Sequence, residues 1–249
     1  MKLALLVAYD GTDFHGFARQ RVHRTVQGVL EERLSLVLRA PVTTTTAGRT
    51  DTGVHAAGQV VSFDAPENTD PQWLRQRLNK WLAPEVAVRA AVEVPASFDA
   101  RFSAQSRVYE YRCYTGVARD PFQDRFALWL PSDVSVSAMR AGSRALIGEH
   151  DFASFCRKGK TGTIRKMHSI RFARDGNRLT FRIEANAFCH QMVRSLVGLL
   201  LEVGGGVKPP TAVSEALAAR DRAEAGAVAA ARGLHLVWVH YKPEVFAEA

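Results

Sequence analysis

Leu3 to Tyr9 is an unbroken apolar run, LALLVAY, that stops at Asp10-Gly11. A run of that length ending on a turn signal reads as a strand buried on both faces. The segments after it fix the class of fold. From Val26 the apolar residues fall at Val26, Val29, Leu30, Leu34, Val37 and Leu38, one face of a helix, with Thr25 placed to cap it. Val42 to Ala47 is rich in threonine and reads as a strand. A glycine-containing loop runs from Gly48 to Gly58, and a strand follows from Gln59 to Phe63. Asp70-Pro71 looks like an N-cap with proline at the first helical position, opening a helix to Leu82. Ala87 to Val94 closes this half as a strand, and the order is βαββαβ.

The second half repeats that order less cleanly. Arg107 to Thr115 is a long strand, and a helix follows from Val136 to Ile147. Strands Lys166 to Ala173 and Leu179 to Ala185 flank Asp175-Gly176-Asn177, a strong hairpin signal. In the second of these, Leu179, Phe181 and Ile183 alternate with Thr180, Arg182 and Glu184, so one face is buried. A helix from His190 to Val203 stops at three glycines. A short helix from Thr211 to Ala219 and a strand from Leu234 to Tyr241 finish the chain. Two βαββαβ halves predict an α+β protein of two ferredoxin-like units. They divide near Pro95 to Phe102, giving residues 1–100 and 101–249.

Apolar residues make up 47% and charged residues 23% of the 249 positions, which excludes a disordered chain. The formal charge of +8 favours a polyanionic partner, with nucleic acid first among them. Cys113, Cys156 and Cys189 form no CxxC pair, so neither a zinc site nor a disulfide framework is expected, and a reduced cytosol fits. The N-terminal apolar run is short and lacks a small-residue cleavage site, so it reads as a strand and not as a signal peptide. No apolar stretch reaches the length that spans a bilayer.

The segment richest in chemistry is Ala47-Gly48-Arg49-Thr50-Asp51-Thr52-Gly53-Val54-His55, a loop between two strands. Gly48 and Gly53 permit a backbone path that projects side chains into a cleft. A guanidinium at Arg49 would keep the Asp51 carboxylate ionised, as a nucleophile or base requires. Taken alone, these residues favour a plainer reading, a turn in which Asp51 bonds its own backbone. An RNA-binding protein without catalysis would also explain the charge. An aspartate-based phosphotransferase would want a second acidic residue for magnesium, and the loop has none. Gly204-Gly205-Gly206-Val207-Lys208-Pro209 is no phosphate loop, since proline stands where serine or threonine should follow the lysine.

The run AGRTDTGVHAAGQVVSF closely resembles the signature of the tRNA pseudouridine synthase A family. YDGTDFHGFARQ resembles that family's opening motif. PASFDARFSAQSRVYEYRCY resembles its second block, and ANAFCHQMVRSLVGLLLEVG its third. The four blocks stand in the family's order and cover nearly the whole chain. The resemblance implies a fold of the pseudouridine-synthase type, with a central, mainly antiparallel sheet and a catalytic cleft. It implies isomerisation of uridine to pseudouridine at tRNA positions 38, 39 and 40, in the anticodon stem-loop. By the same resemblance Asp51 is the catalytic carboxylate, Arg49 helps extrude the target base, Tyr109 stacks on it, and Arg194 pairs with the carboxylate. Tyr109 read by itself is a core aromatic on a strand. Arg194 lies in the apolar stretch MVRSLVGLL, where a buried charge needs a partner, and Asp51 is a natural one. The isomerisation involves no redox step or external group, so no cofactor and no metal are expected. A homodimer in the cytoplasm is implied as well. This chain departs from the family at His15-Gly16-Phe17-Ala18, which keeps an aromatic but loses an amide at Ala18. It departs again at Thr52, where the family has alanine.

Overall fold

The computed structural model describes residues 1–82, 84–157 and 162–247. They group into two compact units, 1–106 with 236–249, and 107–235.

The first unit is built on β1 (Lys2–Tyr9), buried from Leu3 to Val7 as its apolar run requires. It pairs antiparallel with β3 (His55–Asp64) on one side and with β4 (Val86–Val94) on the other. β3 is also paired by the two-residue β2 (Thr45–Thr46), and its further neighbour is β10 (Leu234–His240). The expected strands exist, but β2 is shorter than the threonine run, and β3 begins at His55 instead of Gln59. Opposite Leu6 and Val7 the register slips, leaving Arg89 as an extra residue in β4. The Asn79 side chain repairs the gap: its amide donates to the Val88 carbonyl at 2.8 Å, and its oxygen accepts the Val88 N–H at 2.7 Å. Asn79 lies on α2 (Pro71–Leu82), whose Leu74, Leu78 and Leu82 are buried.

α1 (Val26–Leu38) starts where the Thr25 hydroxyl accepts the Gly28 N–H. Its buried stripe is Val26, Leu30, Glu31 and Leu34, while Val29, Val37 and Leu38 are only half-buried. A carboxylate on that stripe must be satisfied. Glu31, 4% exposed, accepts from Gln27 Nε2 at 2.9 Å, Thr44 N at 2.9 Å, Thr44 Oγ1 at 3.1 Å and Arg19 Nη1 at 3.0 Å. It therefore ties the helix to the strand entering the catalytic-candidate loop.

The second unit orders its strands β5 (Ser106–Thr115), β9 (Arg178–Ala185), β8 (Ile164–Asp175) and β7 (Gly148–Asp151), each antiparallel to the next. The short β6 (Leu128–Leu130) runs parallel to the end of β5. The hairpin signal is realised with Gly176 at φ 55°, and Leu179, Phe181 and Ile183 are buried as the alternation requires. The helices are α3 (Val136–Ser143), α4 (Met192–Gly204) and α5 (Ala212–Ala219). α3 is shorter than expected because the chain tightens into a 3₁₀ turn at Arg144–Leu146. α4 starts at Met192, not His190, since Gln191 is left-handed at φ 65°. β6 and β7 lie outside the expected βαββαβ order. The cysteines depart from the expectation that no disulfide forms. Cys156 and Cys189 form a disulfide with Cα atoms 5.6 Å apart across 33 residues, while Cys113 keeps a free thiol that burial pushes up to about 12. Their pairing arises from tertiary proximity, with Arg157 N bonded to His190 O, which no spacing motif encodes.

Glu31→Ala is expected to lower unfolding free energy by about 1–3 kcal/mol, the range for stranding buried donors. Urea denaturation measures it, and a change near zero would show that water replaces the carboxylate at Thr44.

Candidate active site

The loop from Gly48 to Val54 leaves β2 and returns as β3. Its path is set from beneath by buried polar groups. The Gln59 side chain, fully buried, donates through Nε2 to the Gly48 carbonyl at 2.6 Å and accepts the Gly48 N–H at 3.4 Å. The Tyr9 hydroxyl lies 2.7 Å from the Thr50 hydroxyl and accepts from Gln59 Nε2 at 3.4 Å. Burial pushes the Tyr9 phenol up to about 12, with its bonds to Thr50 and Gln59 opposing that shift. It is therefore neutral at physiological pH and can both donate and accept.

Thr50 points inward while Arg49 is exposed and Asp51 half-buried. The Asp51 carbonyl accepts the Val54 N–H at 3.1 Å, closing a turn, and Gly53 sits inside it at φ 75°. Of the two glycines singled out in the sequence, only Gly53 uses left-handed freedom. Gly48 serves instead through its backbone bonds to Gln59.

The opening motif folds onto this loop. Phe14 and Phe17 are buried, and Phe17 stands 6.0 Å from the Tyr9 ring. The Phe17 N–H donates to the Thr50 carbonyl at 3.0 Å, and Gly53 N to the Phe14 carbonyl at 3.4 Å. Gly16 sits between them at φ 86°, and a Cβ there would come within 2.9 Å of the Thr50 carbonyl. The aromatic retained at Phe17 is thus a packing residue. Beyond it, Arg19, Arg21, His23 and Arg24 form an exposed basic segment. It is folded back on the opening motif by the His15 N–H, which donates to the Arg24 carbonyl at 2.9 Å, and by stacking of His15 on His23. His55 is buried, and its Nδ1 accepts the Gly11 N–H at 3.1 Å, a structural role.

Arg49 and Asp51 thus share one loop of the first unit, whereas Tyr109 and Arg194 stand on different elements of the second. Tyr109, on β5, is 7% exposed and meets the Phe188 ring edge-on at 5.1 Å. Tyr111, two residues on, is fully buried and spends its hydroxyl on the Ala230 carbonyl at 2.8 Å. Burial pushes that phenol far above its ordinary range. Arg194 is less buried than the apolar stretch suggests. With Leu201 and Glu202 it makes up the part of α4 that is not buried. Its Nε donates to the Ala229 carbonyl at 2.7 Å, and Ala229 N donates back to the Arg194 carbonyl at 3.1 Å. This explains the alanine-rich segment: its small residues let the chain lie against α4, where a Cβ on Gly198 would overlap the Ala227 carbonyl. Tyr9, Gln59, Phe188 and Ala229 escaped the sequence reading. Gln59 alone carried a signal, as a polar residue heading the apolar run VVSF.

Comparison with known proteins adds a second line of observation. A family model described as tRNA pseudouridine synthase matches residues 5–103 and 143–242. Arg49, Asp51 and Arg194 fall within the matched residues, and Tyr109 falls in the gap between them. The tRNA pseudouridine synthase A of Geobacillus kaustophilus (strain HTA426) is 40% identical over 247 residues, covering 98% of this chain and 95% of that protein. The protein of the same name from Burkholderia multivorans (strain ATCC 17616 / 249) is 44% identical, covering 98% of this chain and 91% of its own length. That from Pseudothermotoga lettingae is 38% identical, covering 95% and 98%.

Gly198→Ala should force the 227–229 segment off α4 at a cost of about 1–3 kcal/mol, the usual range for overpacking. A thermal melt equal to the parent's would contradict this contact.

Proposed function

Because the chain belongs to the tRNA pseudouridine synthase family, and is therefore an isomerase acting on tRNA uridine, we propose that Asp51 is its catalytic carboxylate and that its targets are uridines 38, 39 and 40 of the anticodon stem-loop. The observation that carries the first part is the presentation of Asp51. A turn residue serving only its own backbone would need no support from below, whereas this loop is held by side chains from β1 and β3.

The reaction needs what these residues supply. A uracil in a stem must leave the stack before its glycosidic bond is reachable. Arg49, exposed two residues before Asp51, is suited to fill the space the base vacates. Tyr109 is the stacking platform in this proposal, and Arg194 the cation that keeps the carboxylate ionised. The base then detaches from C1′, turns, and rejoins through C5, while the C5 hydrogen passes to solvent and N1 regains one. The exposed Arg19–Arg24 segment, which follows the Phe14–Phe17 stretch bonded to the Asp51 loop, supplies cations for phosphate in this proposal. Several adjacent targets imply readout of shape and backbone instead of one base sequence. The proposal further takes the protein as a cytoplasmic homodimer and its two halves as ferredoxin-like, the first carrying the Asp loop and the second the Tyr strand and the Arg helix.

Mapping pseudouridine in unmodified bulk tRNA after incubation with the protein tests the target. Product at positions 38 to 40 is expected. Product confined to the T-loop, or to ribosomal RNA offered in competition, would overturn it.

A further inference from the structure

Along Arg49 to Asp51 the exposure alternates: Arg49 is exposed, Thr50 is buried at 6% exposure, and Asp51 is half-buried. The bond between Tyr9 and Thr50 at 2.7 Å fixes the buried member. The paired bonds from Gln59 to Gly48 fix the backbone one residue before Arg49. The Phe17 N–H on the Thr50 carbonyl closes the remaining direction.

We propose that Tyr9, Thr50 and Gln59 act as one positioning clamp, which sets the direction in which Asp51 leaves the loop. The proposal rests on reading Asp51 as the catalytic carboxylate. The oxygens involved are not needed for packing. Phenylalanine would fill the space of Tyr9 and valine that of Thr50, and each would spare the cost of burying a hydroxyl. What the hydroxyls add is direction. If either is lost, the Phe17 bond to the Thr50 carbonyl is left to hold the peptide by itself, and the direction of Asp51 loosens. A carboxylate attacking or deprotonating at the sugar tolerates little misplacement, while tRNA binding, spread over many phosphate contacts, tolerates much. The clamp is therefore felt in the chemical step and not in affinity.

The test is single-turnover conversion of unmodified tRNA by Tyr9→Phe, Thr50→Val, Thr50→Ser and the double variant Tyr9→Phe/Thr50→Val, with tRNA affinity measured alongside. Tyr9→Phe and Thr50→Val should each react about a hundredfold more slowly, the scale of a small misplacement, with affinity held. Thr50→Ser, which keeps the hydroxyl, should stay near the parent rate. The double variant should be no slower than the slower single one, as expected of groups acting as a unit. A parent-like rate in Tyr9→Phe or Thr50→Val would overturn the clamp. So would a Thr50→Ser protein as slow as Thr50→Val, or a double variant in which the two losses multiply. Should Tyr9→Phe fail to fold by circular dichroism, the two Thr50 variants decide. Asp51→Asn is run beside them. If it keeps its rate, the reading of Asp51 falls and the clamp with it. If it is inactive while Tyr9→Phe and Thr50→Val keep pace, the clamp alone falls.

Discussion

The fully buried amide of Gln59 takes both backbone groups of Gly48, as a neighbouring strand would. The geometry around Asp51 follows from that substitution. β2 ends after two residues, and one more backbone bond, from the Ala47 N–H to the Val60 carbonyl at 2.9 Å, carries the pairing to the edge of the loop. Gln59 extends the pairing by one residue from a side chain, and Tyr9 extends it by two more through Thr50. The chain is then released into a turn closed by Val54. The opening motif and the loop lie some forty residues apart in sequence, yet they share hydrogen bonds at Thr50 and Gly53.

Magnitudes separate the roles of these contacts. Fully burying a large apolar side chain stabilises by about 1.5–3 kcal/mol, so Phe14 and Phe17 supply most of what holds the opening motif down. Each neutral hydrogen bond in the loop adds only about 0.5–1.5 kcal/mol net. The same bonds, however, are directional and lie out of water, and an unmade one leaves a buried group stranded. Packing therefore decides that the two segments meet, and the polar network decides which way each residue faces when they do. The same division holds beneath Arg194. Gly198 and the small residues beyond Ala225 permit the approach, and the reciprocal bonds between Arg194 and Ala229 fix its register.

Much of this was legible in the residues. The apolar run of β1, the helical face closed by Thr25, the Asp70-Pro71 helix start and the Asp-Gly-Asn hairpin each carry their structure in local pattern. The misses share a cause, which is tertiary contact overriding local preference. His55 to Gly58 is poor strand sequence, but pairing of Ala56 with Tyr9 recruits its start into β3. Glu31 breaks an apolar face and is tolerated because four donors from outside its own turn of helix or from Gln27 converge on it. Cys156 and Cys189 pair across a span that only the folded chain brings together. At the candidate site, the GRTD run was recognisable from family resemblance, whereas its supports were not. Tyr9 read as the end of a strand and Gln59 as the start of one, and only the fold shows that both face the loop.

The central claim is that the Asp51 carboxylate does the chemistry, and hydrogen loss from C5 reports on it directly. In tRNA carrying tritium at C5 of uridine, isomerisation sends tritium to water as C5 takes up the bond to C1′. Asn is nearly isosteric with Asp and suits a turn equally well, but it can neither attack as a carboxylate nor act as a base. Folded Asp51→Asn protein that still binds tRNA should release tritium about a thousandfold or more slowly than the parent, in line with loss of other catalytic side chains. Release at close to the parent rate would contradict the account.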